Sequence, residues 1–128
     1  MTVSVTRVGT EPILLVTASG YLSTADVGHL FEQSLALIGA DEGIFYRITH
    51  MDSMTLSFTD LPAMLTLMTS AVRGSTSDPQ IRTLLVGTTF HAPMLRDTLA
   101  QQGVTHVMAF ESLDAALTYA RAQIDAAP

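Results

Sequence analysis

Two hydrophobic periods alternate along this sequence, and few folds accommodate both in that order. Residues 13–18, 44–48, 81–86 and 104–110 are short, mostly apolar runs of strand length. Between and after them, apolar residues recur at helical spacing: Val27, Leu30, Phe31, Leu35 and Ile38, then Leu61, Met64, Leu65, Met68 and Val72. The pattern continues with Met94, Leu95 and Leu99, and with Leu113, Ala116, Leu117, Ala120 and Ile124. Strands separated by helix-length crossovers run parallel and need cover on both faces, so the alternation predicts an α/β fold with a mostly parallel sheet. Residues 2–8 depart from it. Val3, Val5 and Arg7 share one face of a strand and Ser4, Thr6 and Val8 the other, and Gly9-Thr10-Glu11-Pro12 turns the chain straight back. That short link makes the first strand antiparallel, at or near an edge. The expected order is ββαβαβαβα.

Local signals set the ends of the elements. Gly20 is expected to let the chain turn, and Ser23-Thr24-Ala25-Asp26 opens the first helix as a capping box; Gly39 closes it. Pro62 and Pro93 belong to first turns, which places the start of the second helix between Ser57 and Asp60. Gly103 ends the third helix and Ser112 caps the fourth. Residues 74–79 read as a polar loop.

Composition removes several classes of function. With 128 residues, 48% hydrophobic and 14% charged, the chain is long and apolar enough to form one domain over 1–128 with a core of its own. It has no cysteine, which excludes disulfides and thiolate metal sites, and no apolar run long enough to insert in a membrane. The formal net charge is −6 and all six basic residues are arginines, without a basic stripe, so nucleic acid is not an expected partner. The opening residues enter a strand pattern without signal-peptide anatomy, and the expected location is cytoplasmic.

The most informative stretch runs from the central strand into the second helix. Two further segments resemble motifs of a known family. Ser19-Gly20-Tyr21-Leu22-Ser23-Thr24-Ala25-Asp26 carries a glycine-x-leucine entry to the first helix, and Phe110-Glu111-Ser112-Leu113-Asp114-Ala115-Ala116-Leu117 leads into the last. With the element order, they resemble the STAS superfamily, which includes anti-anti-sigma factors, and especially its SpoIIAA-like branch. The resemblance covers nearly the whole chain. It implies a bacterial, non-enzymatic regulatory module that docks a protein partner or a second copy of itself as a homodimer. In anti-anti-sigma factors an Asp-Ser-Ser-Gly-type segment opens the second helix, and a partner kinase phosphorylates a serine there. Here the corresponding stretch is Ser57-Phe58-Thr59-Asp60-Leu61, with Phe58 in the place of that serine, while Asp52-Ser53 lies further upstream. A phosphorylation or anion site therefore passes to Ser57 or Thr59, either of which also reads as a helix cap.

Catalytic signatures are weak. His29, His50, His91 and His106 show no metal-ligand spacing, there is no nucleophile elbow, and Gly87-Thr88-Thr89 lacks the glycines and lysine of a phosphate loop. No cofactor or metal is expected; an enzyme would need His50, Asp52 and His91 to converge. Arg47 is the oddest residue, a guanidinium inside an apolar strand, and it calls for an acidic partner, for solvent, or for an anion in a pocket. Met51 and Met54 fall in the loop 50–60 and suggest an exposed apolar patch, whereas Met64 and Met68 lie on the inward stripe of the second helix. Two readings follow. A partner-docking surface would use residues 51–60 and the outer side of the second helix. Alternatively, a small apolar or anionic, lipid-like ligand would be carried in a pocket lined by Met51, Met54, Phe58 and Met64, with Arg47 as anion partner.

Overall fold

A single long strand carries the architecture. In the computed structural model, which describes residues 2–56, 59–89 and 91–127, β2 (Ile13–Leu22) follows β1 (Thr2–Arg7) across a tight turn. The two pair antiparallel from Thr2↔Ser19 to Arg7↔Leu14, with β1 at the edge as its alternating pattern requires. On its other side β2 meets β3 (Phe45–His50) in parallel, and β5 (Ile81–Val86) and β6 (Met108–Phe110) extend the sheet in the order β1-β2-β3-β5-β6. Helices α1 (Thr24–Ile38), α2 (Leu61–Met68), α3 (His91–Gln101) and α4 (Leu113–Ala126) complete the chain.

The sequence places most of these elements, and the differences have physical causes. Gly20 does not end β2: at φ +81° it bends the strand, which continues to Leu22. That extension gives the loop 50–60 something to pair with. Met54–Leu56 forms a short strand, β4, parallel to Gly20–Leu22, so the order is ββαββαβαβα. Between Thr17↔His50 and Gly20↔Met54 the register slips by one residue, taken up in a turn closed by Met54 N–H donating to the Met51 carbonyl. Helix α2 stops at Met68, leaving Val72 beyond it and 53% exposed instead of on the inward face. Residues 104–107 pack as coil, because β6 reaches β5 only from Met108 onward.

Alternation sorts the core into two layers. Leu14, Val16, Phe45, Ile81 and Leu85 turn to α1, α2 and α3, where they meet Val27, Leu30, Phe31, Met64, Leu95 and Leu99. Ile13, Ile48, Leu84 and Val86 turn the other way, against Ala116 and Ala120 of α4. The helix ends follow the expected chemistry at both serines. Ser23 and Asp26 form a reciprocal capping box, and the Ser112 hydroxyl accepts from Ala115 N–H at 3.1 Å.

Two glycines make a direct test of how this fold is braced. Gly74 (φ +86°) and Gly103 (φ +92°) both occupy the left-handed region, but a Cβ at 74 would lie 2.8 Å from the Phe31 carbonyl oxygen, whereas one at 103 meets nothing within 4 Å. Gly103→Ala should cost about 1 kcal/mol for backbone strain alone. Gly74→Ala, which also has to push the loop off α1, should cost at least about twice as much. Urea unfolding of the two variants, compared at equal m-value, checks the ranking.

Candidate functional site

The row of residues at the middle of the sheet explains why Arg47 can be where it is. Strand β3 buries Phe45 and Arg47 on the α1 face, and register sets Leu14 of β2 and Thr83 of β5 on either side of Arg47. Arg47 is only 1% exposed. It neither faces solvent nor, among the described residues, lies within ion-pair distance of a carboxylate, which corrects the expected acidic contact. Neutral groups hold it instead. Its Nη1 donates to the Gly74 carbonyl and, at 3.3 Å, to the Ser34 hydroxyl, and the guanidinium carbon sits 5.1 Å from the centroid of the Phe31 ring. Ser34, inward on α1 at a position where the stripe would otherwise carry a bulky apolar residue, leaves room for the guanidinium. Its hydroxyl in turn donates to the Leu30 carbonyl at 2.8 Å.

The loop between α2 and β5 is shaped to deliver that carbonyl. Asp78 is buried, and its two oxygens accept from Gly74 N–H at 2.7 Å and from Gln80 N–H at 2.9 Å. Thr76 closes the far side, where its carbonyl lies 3.1 Å from His106 Nε2. Burial pulls the Arg47 pKa down to about 10, while the charge of Asp78 works in the opposite direction. A base whose pKa falls on folding destabilises the fold while it stays protonated. The cost is therefore present in full below about pH 10, relieved only in alkali, and amounts to about 3 kcal/mol at neutral pH.

Beside Arg47 the helices and sheet leave a cavity of about 40 Å³. Arg47, Thr49, Thr83 and Leu85 form its floor, Val27, Leu30 and Phe31 of α1 one wall, and Leu95 and Leu99 of α3 another. Met51, Met54, Leu56 and Met68 close its outer end. Three of the sequence candidates, Arg47, Met51 and Met54, are thus brought together, but inside the molecule. Met51 and Met54 are 5% and 7% exposed, not an apolar surface patch, because the turn after β3 and the pairing of β4 fold both inward. Met64 is fully buried in the same core without lining the cavity. Asp52 stays exposed at the rim, where its Oδ1 accepts from Thr88 N–H at 2.9 Å and Thr88 Oγ1 at 3.2 Å, tying the end of β3 to the loop after β5. Thr59 is exposed just ahead of α2, whose N-cap is Asp60, so Thr59 does not cap the helix. Ser57 and Phe58 lie outside the described residues. Among the described residues no three His, Asp or Glu side chains gather as metal ligands would, and His50, Asp52 and His91 form no such group.

A second concave surface lies on α2 itself. Leu61, Pro62, Leu65, Thr66 and Thr69 line a groove of about 350 Å³ that Gln102, after α3, closes at the far side. None of these side chains is charged.

No family model and no curated protein matches the sequence. Among solved structures, the chain is similar to an uncharacterized protein of the DUF3478 family, with a SpoIIAA-like fold, from Shewanella loihica PV-4. The two share 13% identity, with a TM-score of 0.63 over 92% of this chain and 91% of that one. The fold is SpoIIAA-like. In this fold α2 follows the β3–β4 segment at the carboxyl end of the sheet, where open α/β domains place their working loops. No helix is long and apolar enough to cross a membrane among the described residues.

Sequence reasoning reached Arg47 but missed its surroundings. Ser34 and Thr83 are polar residues at inward positions of an otherwise apolar stripe and strand, and Asp78 sits in the loop at the entry to β5; only the fold shows that all three converge. A double-mutant cycle tests the assembly. Asp78→Asn should destabilise the parent by about 2 kcal/mol. In an Arg47→Met background the loss should be smaller by about 1 kcal/mol, since no buried charge then depends on the carboxylate. Equal losses in both backgrounds, read from chemical denaturation, would show the two groups to be uncoupled.

Proposed function

We propose that this domain is a non-enzymatic regulatory module that works by docking a protein partner on α2. The uncharged groove between α2 and the end of α3 is the observation that carries this reading. Eight residues of helix, Leu61–Met68, contain no ionisable side chain, and Pro62, Ala63 and Thr66 face outward from them. On a chain with a net charge of −6, such a surface is suited to an apolar anchor from another protein, flanked by groups that bond to threonine hydroxyls and the Gln102 amide. The SpoIIAA-like fold supports the reading without assigning a partner, because one fold serves many functions. Beyond the carboxyl ends of β3 and β5, the Asp52 carboxylate accepts from the Thr88 hydroxyl, and the Thr89 hydroxyl lies 3.2 Å from His91 Nδ1.

Thr59, exposed one residue before Asp60, is where a phosphate would alter this face. Beside the Asp60 carboxylate it would add a dense negative charge at the edge of the uncharged groove, an electrostatic means of releasing a partner.

Photo-crosslinking from position 66, in cells of the natural host, tests the proposal, with position 122 on α4 as the comparison. A discrete protein adduct from 66 and none from 122 is expected, and Pro62→Arg should remove it without altering the circular dichroism spectrum. Adducts of equal yield from both positions, or none from 66, would rule the α2 face out. Intact-mass and peptide mapping of the same material reads any phosphate on Thr59 or Ser57.

A further inference from the structure

The cavity under α1 has a chemistry that docking on α2 does not use. Its wall is apolar almost throughout, yet two buried polar atoms, Arg47 Nε and Thr83 Oγ1, have no hydrogen-bond partner among the described residues. Arg47 and Thr83 are 1% and 4% exposed, and they are opposite each other in the β3–β5 register on the same face of the sheet. The two bare atoms therefore belong to one locus. An unpartnered donor on a buried cation and an unpartnered buried hydroxyl are each costly to leave alone, and a single acceptor group placed between them would answer both.

The charge selects the kind of acceptor. With Nη1 engaged by a carbonyl and a hydroxyl, and with no carboxylate in ion-pair distance among the described residues, the guanidinium is stabilised mainly by neutral groups. An anion compensates its charge, which a neutral carbonyl does not. A planar carboxylate also suits the fork of a guanidinium and offers a second oxygen to the hydroxyl. Away from these two atoms the wall continues as Met51, Met54 and Leu56, which suit alkyl groups and nothing charged.

We propose that the cavity receives an aliphatic monocarboxylate, its oxygens accepting from Arg47 Nε–H and Thr83 Oγ–H and its chain lying along Met51, Met54 and Leu56. The present volume of about 40 Å³ holds the carboxylate and its first carbons. A longer chain has to part Met54 and Met68, flexible thioethers that give way more readily than branched side chains. Entry is from the β4 end, where a three-residue strand and its preceding turn form the outer wall. This site is separate from the α2 groove, so either proposal can fail without the other.

Isothermal titration of the full chain with acetate, butyrate, hexanoate and octanoate, at constant ionic strength, tests it. Affinity should rise by about fourfold per added methylene until the apolar wall ends. The corresponding alkanols should bind at least tenfold more weakly. Arg47→Met should abolish binding, and Thr83→Val, which only replaces an unpartnered hydroxyl with a methyl, should weaken octanoate severalfold while keeping the parent's melting temperature. Affinity independent of chain length, alkanols binding as well as acids, or an unchanged octanoate affinity in either variant would overturn the proposal. If Arg47→Met does not fold, Thr83→Val and the alkanol comparison decide alone.

Discussion

One guanidinium in the middle of the sheet sets the terms for its surroundings. Arg47 reaches the interior charged, and the residues around it show what that requires: a serine in place of a bulky residue on α1, an aromatic face beside it, a backbone carbonyl aimed at it, and a buried carboxylate behind that carbonyl. Each adjustment is local, but they lie on different parts of the chain, so the charge acts as a common reference for α1, β3 and the segment between α2 and β5. The loop there is polar and buried, a combination tolerated only because its serines, its aspartate and its own backbone satisfy one another. At Gly74 this arrangement lies against α1 with no room for a side chain.

The other constraint is the length of β2. By running on past Gly20 it offers its flank first to β3 and then to β4, and the slip in register between the two ladders produces the turn that carries Asp52 outward while Met51 and Met54 stay within. The same few residues thus build the outer wall of the cavity and fasten the neighbouring loop through Thr88. A site and its support are made from one irregularity in an otherwise regular sheet.

Where the sequence repeats a period, the structure is legible from it: the inward stripe of α1, the edge placement of β1, the capping serines 23 and 112 and the central position of β3 all follow from spacing and cap chemistry. Where a residue's environment depends on distant parts of the chain, it is not. Nothing near Met54 announces a strand, because its partner is an extension of β2 some thirty residues earlier, made extended by a glycine that equally well signals a turn. Arg47 stands out by its chemistry, yet its neighbours Ser34, Gly74 and Thr83 are ordinary residues until three segments meet. The cavity was legible only in part for the same reason: Met51, Met54 and Arg47 could be suspected, but inward or outward orientation is decided by a one-residue slip that no local pattern encodes.

The two faces of the sheet differ in how they are closed. Three helices share one; α4 alone covers Ile13, Ile48, Leu84 and Val86 on the other, using the small side chains of Ala116 and Ala120 to come close, with Arg121 fastened to Glu11 of the β1–β2 turn at 3.0 Å. Because α4 is encoded after every strand it covers, the order of synthesis matters. A nascent chain on the ribosome has all its strands before it has any cover for that face. Until α4 clears the exit tunnel, Ile13, Ile48, Leu84 and Val86 stay open to water and to whatever apolar surface, chaperone or neighbouring chain, reaches them first.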